Sequence, residues 1–318
     1  MRRARNVIDV ALSRAQRADV TLFHEFVPAP YGGGNQFLRA LRGAFERRGL
    51  VVANNAIPPA TRGCLYNSFN FDFDRLRRFV RPGCRMVHRV DGPIAVYRGR
   101  DDGSDRRIWE MNQEFAHATV FQSRYSRDRY AALGLAFKEP RVIHNAADPA
   151  IFHPGPHEPL GRGRKVRLIA TSWSDNANKG GPVYRWLEEH LDWDRFEFTF
   201  VGRSPVPFNR IRVIEPQPSA EVAALLRAHD VFVTASLHES CSNALIEALS
   251  CGLPALYADS GGNAELVGDG GIGFAAREEI PSQLEALVAD CDRYRAGIAA
   301  PRLDDVADRY LAALGIEV

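Results

Sequence analysis

The sequence predicts an α/β protein made of two doubly wound parallel-sheet domains. Three observations carry that expectation. Short apolar runs alternate with longer amphipathic runs in both halves of the chain. A stretch crowded with Pro and Gly and without periodicity, His153 to Lys165, separates the halves. At 318 residues the chain is long enough for two hydrophobic cores. Strand–helix alternation implies parallel strands covered by helices on both faces.

In chain order, the expected strands of the first half are Val20–His24, Val51–Ala53, Cys64–Tyr66, Arg85–His88, Thr119–Phe121 and Arg141–Ile143. Phe37, Leu38, Leu41 and Phe45 share one face of an expected helix from Asn35 to Arg48. In the second half, Val166–Ala170, Phe196–Val201, Arg212–Ile214, Val231–Thr234 and Pro254–Tyr257 read as strands. Ser219 to Ala228 reads as a helix with Ser219 as its N-cap. A last amphipathic helix runs from Asp304 to Leu314. The expected divisions are 1–156, 157–300 and a C-terminal segment 301–318, whose return to the first domain is left open.

Composition narrows the function. The chain is 45% hydrophobic and 25% charged, the balance of a globular protein. Lys and Arg number 41 against 39 acids, so net charge makes no case for a nucleic-acid partner. Five cysteines, with no C-x-x-C pair, suggest neither a disulfide framework nor a zinc site. No apolar run approaches the length of a membrane span, and the N-terminus lacks a secretory apolar core. A cytoplasmic location is expected. The basic start, Met1 to Arg5, leaves contact with the inner membrane face open.

The richest segment is His238 to Leu266, "HESCSNALIEALSCGLPALYADSGGNAEL". Glu239 falls in the loop after a strand. A helix is expected from about Ser242 to Gly252, and the first N–H groups of such a helix, on Ser242, Asn243 and Ala244, form an anion site. Glu247, one turn further in, can accept hydrogen bonds from two vicinal hydroxyls, as on a ribose. Gly261 and Gly262 leave room for a ligand at a second helix start. By spacing alone, a capped helix with a solvated glutamate is an equal reading. Earlier in the chain, Gly32, Gly33 and Gly34 precede a helix start, and Asp91 in "VHRVDGP" is placed to meet an acceptor hydroxyl.

Glu239, seven intervening residues and Glu247 resemble the E-x7-E motif of family 4 of the GT-B glycosyltransferases. "EALSCGLPAL" and "GGNAELV" continue the resemblance. It extends in order through "GGGNQFLRAL", "VFQSRYSRDRY", "VIHNAADPAIF" and "NKGG". It implies a GT-B fold, two Rossmann-like domains facing a central cleft. It implies Glu247 on the ribose of a nucleotide sugar, Glu239 beside the transferring sugar, and backbone donors at Ser242, Asn243 and Ala244. Lys179, with Asn178 beside it, would neutralise the diphosphate, and His88 would face the donor sugar. Gly33, Gly34, Gly261 and Gly262 would line the donor. The family usually has an arginine five positions before the lysine; here Ser174 stands there, and Arg203 or nearby asparagines are the candidate replacements.

The expected activity is transfer of a sugar from a UDP- or GDP-sugar to an acceptor hydroxyl. Retention of configuration, no metal and no further cofactor follow from the resemblance. A front-face displacement and domain closure over the donor are expected. A nucleotide-sugar epimerase and a non-catalytic nucleotide-sugar binder are the alternatives, the latter favoured by Ser174. Gly268–Gly273 fits G-x-G-x-x-G only formally, since no strand is read before it and no helix behind it. Asp72-Phe-Asp74 fits a D-x-D metal motif that is common by chance.

Overall fold

The computed structural model describes residues 17–27, 33–69, 71–158, 160, 163–174, 176–204 and 206–317. The basic start at Met1 to Arg5 and Gly32 lie outside the described residues. The chain forms two compact units. One contains residues 1–27, 38–144 and 303–318; the other contains 28–37 and 145–302.

The first unit is built on β1 (Val20–Phe23), β2 (Val52–Asn54), β3 (Gly63–Asn67), β4 (Arg85–Val90), β5 (Ala118–Phe121) and β6 (Pro140–Val142). Their order in the sheet is β2-β1-β3-β4-β5-β6, and every pairing is parallel. β1 and β3 are buried along their whole length, as strands covered on both faces must be. The helices are α1 (Gly33–Arg47), whose residues 33–37 belong to the second unit, α2 (Phe73–Phe79), α3 (Ile94–Arg98), α4 (Ser104–Phe115) and α5 (Arg124–Ala132). Phe37, Leu38, Leu41, Ala44 and Phe45 form the buried stripe of α1. Asp72 caps α2 by accepting the Arg75 N–H, so the D-x-D match is a helix start.

The second unit carries β7 (Val166–Ser172), β8 (Phe196–Gly202), β9 (Arg212–Ile214), β10 (Val231–Thr234), β11 (Ala255–Ala258) and β12 (Gly271–Phe274). The order is β12-β11-β10-β7-β8-β9, again all parallel. Its helices are α6 (Gly181–His190), α7 (Ser219–Arg227), α8 (Asn243–Ser250), α9 (Asn263–Val267), α10 (Ile280–Ala289) and α11 (Cys291–Ala296). The chain runs outward from β7 to β9, then returns to β10 on the other side of β7. That reversal is the topological switch point, where open parallel sheets bind ligands outside the carboxyl ends of the strands.

The doubly wound architecture is as expected, and the expected strands occur within two residues of their positions. Three details differ. Gly271–Phe274 is an edge strand. Its glycines serve close packing: a Cβ on Gly271 would lie 2.0 Å from the Ala255 carbonyl oxygen. Pro218, and not Ser219, is the N-cap of α7, and the Ser219 hydroxyl accepts from Gln36 instead. The change of unit falls between His144 and Asn145, upstream of the Pro- and Gly-rich run. Phe152 is already in the second unit's core, and Arg227 donates to the Ile151 carbonyl. The last helix, α12 (Leu303–Leu314), packs on the first unit. Arg85 donates to the Ala313 carbonyl at 2.8 Å, and Leu314 fills the space a side chain at Gly63 would need.

One carboxylate fastens the amino end of the second sheet. Asp230, immediately before β10, is buried and accepts from Arg164 at 2.7 and 2.9 Å. It also accepts the Arg167 N–H of β7 at 2.8 Å, while its own N–H donates to the Arg167 carbonyl. The clamp fixes the β7–β10 register, in which Val231 faces Leu168. Burial alone would raise the Asp230 pKa, but the arginine and backbone donors outweigh it and hold the pKa below its ordinary value. Its stabilising contribution is therefore present above the unfolded pKa of about 4 and lost as pH falls through the lower folded value. Asp230→Asn should cost about 3 kcal/mol at neutral pH, because it leaves two arginines with only the exposed Glu158 as anion. Chemical denaturation at pH 7 and near pH 3 checks this: the difference between variant and wild type should shrink in acid.

Candidate functional site

The site of the second unit is assembled at the carboxyl ends of β7 and β10, on either side of the switch point. The β7 loop ends in a 3-10 turn, Ala177–Lys179, whose start is capped by the Asn176 side chain. The β10 loop leads through Glu239 into α8. Three contacts tie the loops together. The Leu237 N–H donates to the Asn178 carbonyl at 2.8 Å. Lys179 forms an ion pair with Glu239. Gly180, at φ +80°, comes so near that a Cβ would lie 2.4 Å from both the Cβ and the carbonyl oxygen of Ala235. Only glycine combines that backbone angle with that approach. The side chains of Lys179 and Glu239 are 21% and 14% exposed, so theirs is not a freely solvated surface pair.

α8 forms because Leu245, Ile246, Ala248 and Leu249 give it a buried face. Ser242 caps its start, accepting the Leu245 N–H at 3.4 Å. Gly252, at φ +86°, closes its end: the Gly252 and Leu253 N–H groups donate to Leu249 and Ala248. The N–H groups of Asn243 and Ala244 have no acceptor among the described residues. They are the first donors of the helix and carry its positive end. Gly33, at the start of α1, lies against this end, and a Cβ there would be 2.2 Å from Asn243 Nδ2. Asn145 donates to Asn243 Oδ1 at 3.1 Å and so orients that amide. Gly34 has open space around its Cβ position.

Glu247 is half-buried on α8, and its carboxyl has no hydrogen-bond partner among the described residues. Burial pushes its pKa up to about 8. A half-buried carboxyl with both oxygens uncommitted can receive a pair of ligand hydroxyls. Gly261 and Gly262 are occupied differently from the expectation. Gly261, at φ +69°, passes so close to Glu239 that a Cβ would lie 2.3 Å from its carbonyl oxygen, and the Gly262 N–H donates to that carbonyl at 2.7 Å. Both brace Glu239. His238, just before it, holds φ +57° and donates its N–H to Ser260 Oγ. Left-handed backbone at a non-glycine residue is uncommon and clusters at working sites. Ser174 is part of a turn, its hydroxyl accepting the Asn176 N–H at 3.1 Å.

His88 corrects the sequence reading. It lies in the first unit, fully buried, and does not open onto a site. Its Nε2 meets the Ser68 carbonyl at 2.9 Å, its Nδ1 meets the Asn112 amide at 3.2 Å, and the ring stacks on Tyr66. Burial lowers its pKa to about 3, so the ring is neutral and structural. The next residue faces the opposite way along the strand. Arg89, also fully buried, donates to Asn67 Oδ1 at 2.5 Å and to Asp91 Oδ1 at 3.3 Å. Gln122 donates to the same Asp91 oxygen. Asn67, Asp91 and Gln122 sit at the ends of β3, β4 and β5, so Asp91 belongs to a polar network at the carboxyl edge of the first sheet. Sequence reading missed Arg89, Asn67 and Gln122. The available signal was a charge inside the apolar run "RMVHRV".

Gly180→Ala should cost about 2–3 kcal/mol and pull Lys179 away from Glu239, since backbone strain and collision coincide there. Gly49→Ala is the control. Gly49 has φ +78° but nothing within 4 Å of its Cβ position, so strain alone should cost about 1 kcal/mol. Melting temperatures of the two variants check the difference.

Residues 208–291 match the family "Glycosyl transferases group 1". A D-inositol 3-phosphate glycosyltransferase of Corynebacterium glutamicum (strain R) is 28% identical over 145 residues, covering 46% of this chain and 30% of the relative. Its namesake from Nocardia farcinica (strain IFM 10152) is 36% identical over 90 residues, covering 27% of this chain and 20% of the relative. These matches thus span less than a third of the relatives' length. Among solved structures, the catalytic domain of starch synthase IV from Arabidopsis thaliana, bound to ADP and acarbose, aligns with TM-score 0.68 at 11% identity. That alignment covers 93% of this chain and 98% of the other. Anabaena HepE in complex with UDP and glucose aligns with TM-score 0.64 at 15% identity, covering 91% and 95%. The chain therefore has the GT-B fold, and the stretch 208–291 resembles the glycosyl transferases group 1.

Proposed function

We propose that the protein transfers a sugar from a nucleoside-diphosphate sugar to an acceptor hydroxyl, with retention of configuration and without a metal. Glu247 carries the reading. A carboxyl that burial raises to about 8, on the helix whose first N–H groups are uncommitted, is a costly arrangement without a ligand. A ribose diol satisfies its oxygens, and a diphosphate satisfies the helix start. The group 1 match, and structural neighbours solved with UDP and with ADP, support a nucleotide donor.

In the proposed reaction the bond between the sugar's anomeric carbon and the phosphate oxygen breaks, and its electron pair leaves with the phosphate. Lys179 stabilises the charge that develops there. The acceptor oxygen bonds to the anomeric carbon from the same face, and its proton passes to the departing phosphate oxygen. The protein contributes orientation and electrostatics rather than a nucleophile. Glu239 holds Lys179 and lies beside the position proposed for the sugar; the backbones of Gly261 and Gly262 keep it there. Asp91, on the first unit, is the proposed contact for an acceptor hydroxyl. The curated relatives are named for a phosphorylated polyol, but the matched segments are short, so the acceptor is proposed only as a hydroxyl compound. A non-catalytic nucleotide-sugar binder is the second reading, favoured by Ser174; binding without turnover would identify it.

A thermal-shift screen with UDP, GDP, ADP and NAD tests the donor site. One nucleoside diphosphate at 100 times its Kd should stabilise the wild type by about 2.7 kcal/mol. Glu247→Ala should lose most of that shift, and the 2′-deoxy form of the same nucleotide should bind more weakly to the wild type only. A response to NAD alone would overturn the proposal.

Glu247 also predicts a pH effect without ligand. Between its unfolded pKa of about 4.3 and its folded value of about 8, the folded state binds more protons, so stability falls as pH rises through that window. Glu247→Gln should remove this slope and be the more stable protein near pH 8. Parallel melting curves from about pH 5 to pH 8 check it.

A further inference from the structure

We propose that Arg203 supplies the second cation of the nucleotide-sugar site, contacting the diphosphate in place of an arginine at position 174. The inference rests on the donor reading above and names a residue to complete it.

The position of Arg203 is fixed by backbone. It is the first residue after β8, and β8 flanks β7 on the side away from β10. Its N–H donates to the Ser172 carbonyl at 2.8 Å, at the last residue of β7. Gly202, at φ +120°, brings the chain so near that a Cβ would lie 1.8 Å from that same Ser172 oxygen. Any side chain at 202 would push the strand end away. Arg203 is thereby anchored beside the loop that runs from Ser172 to Lys179.

Charge supplies the second reason. Lys179 is paired with Glu239, and that pair sums to zero. A diphosphate brings negative charge and gains more as it departs, so a neutral pair leaves the leaving group under-compensated. Ser174 supplies no charge, and its hydroxyl is used in the turn. Arg203 is exposed, and its guanidinium makes no ion pair or hydrogen bond among the described residues. Arg185 is committed to Glu188 and Glu189, and Arg164 and Arg167, at the amino end of β7, are committed to Asp230. A planar guanidinium with paired donors also matches phosphate oxygens better than an ammonium does.

Calorimetric titration of UDP, GDP and ADP, and of the corresponding nucleosides, tests this on wild type, Arg203→Ala, Arg203→Lys and the double variant Ser174→Arg/Arg203→Ala. The diphosphate that wild type binds should bind Arg203→Ala roughly 10- to 100-fold more weakly, the loss expected for a hydrogen bond to a charged group. The nucleoside should bind both equally, Arg203→Lys should fall between, and the double variant should recover diphosphate affinity. Arg203 is exposed, so circular dichroism should show every variant folded. Unchanged diphosphate binding in Arg203→Ala would overturn the inference while leaving the donor site intact. An equal loss for nucleoside and diphosphate would also overturn it. No diphosphate binding by wild type would bring down the donor reading and this inference with it.

Discussion

The site of the second unit depends on the close approach of Gly180 to Ala235. Two loops leave adjacent strands on opposite sides of the switch point, and nothing in a parallel sheet makes such loops touch. Here a glycine in left-handed conformation lets one backbone rest directly on the other. The Leu237–Asn178 hydrogen bond closes the contact, and Lys179 then meets Glu239. Because the loops are held by main chain, the ion pair sits on a fixed base. Preorganisation of this kind matters when charge must be stabilised without waiting for the protein to rearrange.

The opposite end of the same two strands shows the complementary device. Asp230 pins β7 to β10 through both arginine side chains and the main chain of Arg167. One end of the strand pair is fixed by buried charge, the other by the absence of a side chain. The choice follows from what each end must do. A saturated carboxylate can stay closed at the amino end. In the proposed function the carboxyl end keeps its donors and cations for a ligand, and it is fastened with contacts that consume no charge beyond the Lys179–Glu239 pair.

Much of this was legible in the sequence because it lies in pattern. Short runs of three to six residues marked the parallel strands, and Ser242 with Gly252 bracketed α8. Glu239 and Glu247 were singled out by the E-x7-E resemblance; their spacing alone left a capped helix as an equal reading. The failures were side-chain environments. His88 and Arg89 are adjacent in one strand, and sequence gives no sign of which faces a packed layer and which a polar network. Stacking on Tyr66 and bonds to Ser68 and Asn112 decide it, and those partners lie 20 to 24 positions away. The edge strand β12 was missed because its glycines, required by contact with β11, look like loop.

The glycines at 261 and 262 show how a residue singled out for one reason can have another task in the fold. Small residues beside a ligand site suggest room for the ligand. In the structure that room is taken by the Glu239 main chain, which Gly262 hydrogen-bonds and Gly261 closely approaches. Glu239 is thus fixed through its backbone from one side and through its carboxylate, by Lys179, from the other. With both ends held, its charge belongs chiefly to the lysine, which is why the pair by itself does little to offset an incoming diphosphate. In the proposed donor site, further positive charge comes from the first turn of α8 and from a cation outside the pair. The backbone clamp at Gly202 sets an arginine beside the β7 loop, the residue proposed for that task.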